Sequence, residues 1–323
     1  MSTLSTYANM TLPEAAKRAG YDTEEAVLGD LAKKIDILKV MVWQPATHGS
    51  YNKQLQATRL GVGAFSKANA PLTTISSTGD YFEEPVKLYE GQSVIDDRVL
   101  KTAEDAGKVR TSEDAMNLEG AFQDWAYNLF YGSEASSPDN FRSLARRRAS
   151  LGSYCLGGSG TGSDVTSAWA LEISPVALYL AYPKDTMAGL KVEDKGLQLV
   201  TAPTGTGQMY GWCTLIEIYA ALVMRTERSL VRYCNIESAG STNTFDIEFF
   251  VKYVKNKLAN TGRDAFVFVN RTLKGQIEGE AYADVKNGSL TIRDIEGYGP
   301  IVSIAGMPVL MHEGITDTET ALT

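Results

Sequence analysis

Between Gln44 and Tyr89 the chain is dominated by glycine, serine, threonine and alanine and carries few large apolar side chains. No other stretch restricts the possible folds as strongly. Lys53 to Leu60 (KQLQATRL) alternates in part, and Ile75 to Val86 (ISSTGDYFEEPV) supplies a return strand, so the two runs read as a long, thin hairpin. Such a ribbon has too little apolar surface for a core of its own, and two strands alone are marginal in water. A stretch of this length without a core is either disordered or laid against another molecule. Its β-compatible residues favour the second outcome.

The strongest helical signal lies downstream, in Thr111 to Gly132. Ala115, Leu118, Phe122, Trp125 and Leu129 recur at steps of three and four, which places them on one stripe of a 3.6-residue turn. Leu118, Phe122, Trp125 and Leu129 are therefore the expected core of this helix. Thr111 or Ser112 is the expected N-cap, and Gly132 stands where a left-handed C-terminal residue is wanted. The helix would span roughly 30 Å and serve as a strut.

The remaining elements are mixed in order. Thr11-Leu12-Pro13-Glu14 opens one short helix, and a second, with Val27, Leu28, Leu31 and Ile35 on its face, completes a terminal arm. Helices this short need a partner surface. Leu38 to Trp43 reads as a strand and Val94 to Asp105 as a short helix leading into the strut. Ser167 to Pro183 gives two strands broken at Ser174-Pro175, and Met209 to Met224 and Ser229 to Ile236 give two more. Phe245 to Leu258 reads as an amphipathic helix capped by Asn243 or Thr244. A strand at Ala265 to Val269 and a helix bearing Leu273, Ile277 and Ala281 follow. Asn287-Gly288 marks a hairpin turn, and Ile301 to Ile304 with Met307 to Met311 form a last hairpin before a polar tail. This mixture points to an α+β fold.

Charge and composition narrow the functions. A net charge of -8 and a pI near 5.0 argue against a dedicated nucleic-acid binder. The N-terminus lacks a basic segment followed by an apolar run, and no apolar stretch approaches the ~20 residues that cross a bilayer. A protein made in a cytoplasm, with no membrane partner, is expected. Cys155, Cys213 and Cys234 are too scattered for a disulfide framework or a metal knuckle, so reduced thiols are expected. The two histidines, His48 and His312, have no nucleophile motif beside them. Glu83-Glu84 and Asp96-Asp97 are adjacent acids that diverge on a strand or helix, which suits solvation or ion pairing better than acid–base chemistry. Gly157 to Gly162 lacks the lysine of a phosphate loop. No catalytic, cofactor-binding or metal residue is expected.

The order of these elements resembles the major capsid proteins of tailed bacteriophages, the Hong Kong 97 fold. The resemblance is carried by the helical arm, MVWQ at 41 to 44 before the extended loop, and VIDDRVL at 94 to 100. It continues through LFYG at 129 to 132, PDNFRSL at 138 to 144 and the ending GYGPIVSIAGMPVLMHEGITDTET at 297 to 320. It implies an N-arm (1–37), an E-loop (44–90), and a P-domain (38–43 and 91–150) with a spine helix at 111–132. A mainly A-domain region (151–282) and late strands with a C-terminal tail (283–323) would follow. It further implies pentamers and hexamers in an icosahedral head around double-stranded DNA, assembled in the host cytoplasm with scaffolding, portal and decoration proteins. Because the arm begins near Met1, a separate scaffolding protein is expected. The expected intersubunit contacts are His48, Lys53, Arg59, Lys67, Glu83, Glu84, Arg142, Arg146, Arg147 and Arg148. Lys53 or Lys67 joined covalently to an asparagine, as in some relatives, lacks an identifiable acid and acceptor here. An encapsulin-like compartment shell shares the fold and is the first alternative; a soluble α+β hydrolase is the second.

Overall fold

The computed structural model describes residues 37, 40–69, 71–184, 190–202, 207–240, 242–262, 264–283, 290–295 and 299–323. The helices expected in the terminal arm and the Asn287-Gly288 turn lie outside them. The first strand is Trp43–Pro45 (β1), followed by the hairpin Tyr51–Arg59 (β2) and Thr78–Pro85 (β3), and by Lys87–Asp96 (β4). Helices Asp97–Thr102 (α1), Ala106–Tyr131 (α2) and Leu144–Arg147 (α3) come next. Strands Cys155–Gly157 (β5), Val165–Glu172 (β6), Leu178–Tyr182 (β7), Leu190–Thr201 (β8), Gln208–Met224 (β9), Leu230–Glu237 (β10) and Ala265–Val269 (β11) precede helix Arg271–Ala283 (α4). Leu290–Ile295 (β12), Gly299–Ile304 (β13) and Met307–Met311 (β14) close the described chain.

These strands build three sheets among the described residues. In the first, the long β9 takes β4 antiparallel along one side, from Gly211 to Ala220. Its other side is shared by β8, opposite Gln208 to Ile218, and β7, opposite Ala221 to Met224. β1 adds to β7 in parallel. The second runs β12-β13-β14-β11-β6-β10-β5, and the third is the isolated pair β2-β3.

β6 shows how the core is divided. All of its residues are buried, and the period of two sends successive side chains to opposite faces. Trp169 and Leu171 join Trp125, Leu129 and Phe130 of α2 with Phe268 and Leu310. Ala168 and Ala170 face the other way, against Phe245, Phe250, Val254, Leu273 and Ile277. A strand covered on both faces reads as a nearly continuous apolar run.

Several expectations need correction. The strut starts earlier than Thr111, because Asp105 caps it by accepting from Lys108 N at 3.1 Å; Thr111 lies inside the helix, its hydroxyl bonded to Gly107 O. Gly132 is extended, with φ −53° and ψ 143°. Its missing side chain is needed because a Cβ would collide with Asn128 O and Asn140. Trp125 and Leu129 are buried as expected, whereas Leu118 and Phe122 are half-buried and Phe130 is the large core residue outside the expected set. Met41 N bonds Ile37 O at 2.9 Å, and of the strand expected over Leu38 to Trp43 only Trp43 lies in β1, which runs on to Pro45. Val94 to Asp96 belong to β4, whose ladder with β9 overrides the helical pattern, and Asp96 becomes the cap of α1. The helical segment at 247–257 is capped by Asp246, since Asn243 has φ 56° and bonds Glu237 instead. Within it, Phe250–Val254 widens to a π-helix. β8 and the start of β4 were not expected as strands.

Candidate assembly interface

The rest of the chain leaves most of the hairpin β2-β3 uncovered. Tyr51 pairs with Pro85 and Ala57 with Gly79, so the ladder is regular from the base to a slip before Arg59. Beyond it, residues 60–69 and 71–77 form an irregular tip. Leu60, Val62, Phe65, Leu72 and Ile75 are all exposed there, as are Leu55, Tyr81 and Phe82 on the strands. Exposed apolar residues scattered singly are ordinary; this many on one narrow element make it the candidate interaction surface. At the neck, a Cβ on Gly61 would collide with Ile75 Cγ2, so glycine permits the two sides to approach.

The base of the hairpin is fixed by polar ties to the body. Asn52 is buried and donates to the Tyr179 hydroxyl at 3.2 Å. Gln54 donates to Met224 O at 3.1 Å. Glu84 pairs with Arg147 at 2.9 Å, and the same guanidinium donates to Leu222 O at 2.8 Å. Adjacent acids on a strand point to opposite sides, so Glu83 faces Lys53 across the ladder instead, at 2.7 Å. That hydrogen bond raises the Lys53 pKa, and its ammonium also lies 4.9 Å from the Tyr81 ring centroid. His48 stacks on Tyr51 with ring centroids 4.6 Å apart. Arg59 and Lys67 stand exposed on the hairpin.

The four arginines after the strut divide by burial. Arg147 and Arg148 are internal ties: Arg148 pairs with Glu227 at 2.7 Å and donates to Leu230 O at 3.1 Å. Both are therefore engaged within the chain. Arg142, 4.0 Å from Glu134, and Arg146 are exposed. The site that sequence reasoning missed is internal. Arg232 and Glu319 pair at 2.9 Å with side chains only 5% and 6% exposed. Ser167 and Tyr131 donate to the two oxygens of the same carboxylate, and Arg232 also donates to Ser167 Oγ and Arg148 O. Burial, then the charge of Glu319, holds the Tyr131 hydroxyl well above its ordinary pKa. This cluster seats the C-terminal tail, with Glu319 bridged to Val165. Nothing in the sequence spacing pairs a strand arginine with a tail glutamate.

The residues weighed for chemistry have structural occupations. Asp96 caps α1 and pairs with Arg98, and Asp97 accepts from Lys101 and from the Trp212 indole. Gly158 and Gly160 pass so close to Asn235 O that a Cβ on either would sit 2.7 Å from it. No cluster of three metal-ligating side chains occurs among the described residues, and no helix among them is long and apolar enough to cross a membrane.

A family model described as major capsid protein GP7 matches residues 20–323. No curated protein matches the chain. Among solved structures, a chain of bacteriophage epsilon15 is 22% identical, with all of each chain covered and a TM-score of 0.70. A chain of the bacteriophage JBD30 capsid is 12% identical over 95% of this chain and 99% of that one, with a TM-score of 0.50. An encapsulin from Synechococcus elongatus is 9% identical over 74% of this chain and all of its own, with a TM-score of 0.47.

Proposed function

This chain belongs to the major capsid protein GP7 family and has the Hong Kong 97-type α+β fold; from that premise we propose how it builds a shell. The family is structural, which sets aside the hydrolase alternative and favours a phage head over an encapsulin compartment. The hairpin β2-β3 with its tip acts as the E-loop and lies on a neighbouring copy of the chain. The observation that carries this is the run of exposed apolar side chains from Leu55 to Phe82 on an element with no core. Covering them on a neighbour removes apolar area from water at about 25 cal/mol per Å². Weak contacts repeated over many neighbours then hold a closed particle.

The sheet of β1, β4, β7, β8 and β9 with α2 serves as the P-domain, and the seven-stranded sheet with α4 serves as the A-domain. This P-domain is wider than the expected 38–43 and 91–150, because it takes β7, β8 and β9 from the region expected to be mainly A-domain. The exposed Arg142 and Arg146, with His48, Lys53, Arg59 and Lys67, supply polar contacts between subunits. Pentamers and hexamers of the chain enclose double-stranded DNA in an icosahedral head. Scaffolding, portal and decoration proteins take part, and assembly occurs in the host cytoplasm.

Replacing Lys53 to Glu83 by an Asn-Gly turn tests the E-loop role while sparing β1 and β4. Sedimentation and negative-stain microscopy should show folded subunits or small oligomers and no closed particles. Normal particles from this variant would refute the role. The unaltered protein, produced alone and with its neighbouring reading frames, is expected to give capsomers or closed shells. Genome content in those shells separates a head from a cargo compartment.

A further inference from the structure

Two thiols that the assembly surfaces do not use meet inside the seven-stranded sheet. β5 runs parallel to β10 with Cys155 opposite Arg232 and Gly157 opposite Cys234. Residues two apart on a strand share a face, so Cys155 and Cys234 are diagonal neighbours on one face. Their sulfurs lie 3.8 Å apart and both residues are buried. Each thiol is aimed at a carbonyl, Cys155 at Arg148 O at 3.6 Å and Cys234 at Leu156 O at 3.5 Å.

The surroundings make the two sulfurs unequal. Contact with Cys234, helped by the guanidiniums of Arg232 and Arg148, favours the thiolate at Cys155. Contact with Cys155 together with burial keeps Cys234 a thiol. A thiolate-favouring sulfur beside a second thiol is the pairing from which a disulfide closes once an oxidant reaches it, and β5, at the edge of its sheet, is the strand whose opening would admit one. The third cysteine, Cys213, is on β9 in the other sheet.

We propose that Cys155 and Cys234 are an oxidation site, at which a peroxide converts the pair to a disulfide that fastens β5 to β10. The Cys155 thiolate attacks one peroxide oxygen and the O–O bond breaks; the departing hydroxide leaves as water with the proton the thiol gave up. Cys234 sulfur then attacks the resulting sulfenic sulfur, the S–O bond breaks, and a second water leaves with the Cys234 proton. Two thiols are oxidised by two electrons in total, and one peroxide is reduced to two waters. The link ties the segment leaving α3 to the strand that holds Arg232, and so braces the seat of the C-terminal tail. In a reducing cell interior the pair stays open, and in an oxidising medium it closes.

The test treats the full-length protein, as subunits and as particles, with hydrogen peroxide, then alkylates it under denaturing conditions and maps its peptides by mass spectrometry. The expected product has lost two hydrogens, joins the Cys155 and Cys234 peptides, leaves Cys213 alkylated and is reversed by a dithiol. Cys155→Ser and Cys234→Ser should each abolish the link, and Cys213→Ser should keep it. If a serine variant does not fold, the peptide map of the unaltered protein still decides. Alkylation of all three cysteines after oxidation, sulfinic acid at Cys155 in place of a link, or a link through Cys213 would overturn the proposal.

Discussion

Two antiparallel pairings in this molecule use the same backbone ladder and meet opposite fates. β6 and β10 are buried along nearly their whole length, whereas β3 is exposed at almost every residue. Backbone hydrogen bonds therefore do not distinguish them. What differs is the side-chain environment: β6 lies between two apolar clusters, while β2-β3 has solvent on both faces and is held at its base by Asn52, Gln54 and Glu84. The inner pairing is stabilised by its own chain. The outer one is positioned by its own chain and, in the proposed assembly, would be covered by another copy.

That contrast is broken most sharply from the inside. Trp125 is buried where α2 meets β1 and the segment before α3, stacked on Trp43 at 6.3 Å and edge-on to Phe141 at 5.9 Å. Trp125→Ala should destabilise the unassembled subunit by roughly 3–5 kcal/mol. Urea unfolding followed by circular dichroism checks it, and an unchanged midpoint would show that this face of the strut is not part of the core.

The next effect comes from pH. His312 is buried against Phe130, with ring centroids 4.9 Å apart, and its Nδ1 accepts from Gly314 N. Desolvation lowers its pKa from 6.5 to about 4. Between those values the unfolded chain takes up a proton that the folded chain does not, so the contribution of this group to stability falls as pH drops through the window and levels off below about pH 4. This single group should cost about 3 kcal/mol at the acid end. Urea midpoints measured from pH 7 to pH 4, with His312→Asn as reference, isolate it. Identical pH slopes for the two proteins would rule the histidine out as the cause.

How much of this was legible beforehand follows the same division. The hairpin could be read because its signal is an absence of core residues over a long stretch. The second half of the strut could be read because Trp125 and Leu129 are local in sequence. β8 and the start of β4 could not: in LKVEDKGLQLVT the alternation is cut into two short runs by the register slip between Asp194 and Gly196, and pairing with β9 carries the strand through it. The helix expected at Val94 was lost for a related reason: Ile95 is buried in the ladder opposite Trp212. The arginines were legible as a charged cluster. That Arg147 and Arg148 turn inward depends on carbonyls and acids distant in sequence, as does the pairing of Arg232 with Glu319.

A smaller change should loosen the junction between the two regions. Arg147 has a side chain only 4% exposed, so Glu84→Ala leaves a largely buried guanidinium with carbonyl partners alone. The expected loss is about 1–3 kcal/mol, concentrated at the hairpin base. Hydrogen exchange should rise in β2 and β3 and remain unchanged in β6 and β10. Equal acceleration in both pairings would mean that the tie supports the whole body.

The smallest effect on the subunit is expected at the hairpin tip, and it separates folding from assembly most cleanly. Phe65 is fully exposed, so Phe65→Ser removes nothing that the isolated chain buries, and subunit stability should stay within about 0.5 kcal/mol. In a shell the same ring, covered by a neighbour, would contribute about 1.5–3 kcal/mol before the cost of ordering the tip. Because every subunit carries one, even a fraction of that value recurs throughout the particle. The variant should therefore melt like the unaltered subunit yet need a higher protein concentration before light scattering reports particles. An unshifted concentration would move the contact from the tip to Leu55, Tyr81 and Phe82 on the strands. A lowered melting temperature would instead place Phe65 in the subunit's own core, removing the contrast between the two pairings at its outermost point.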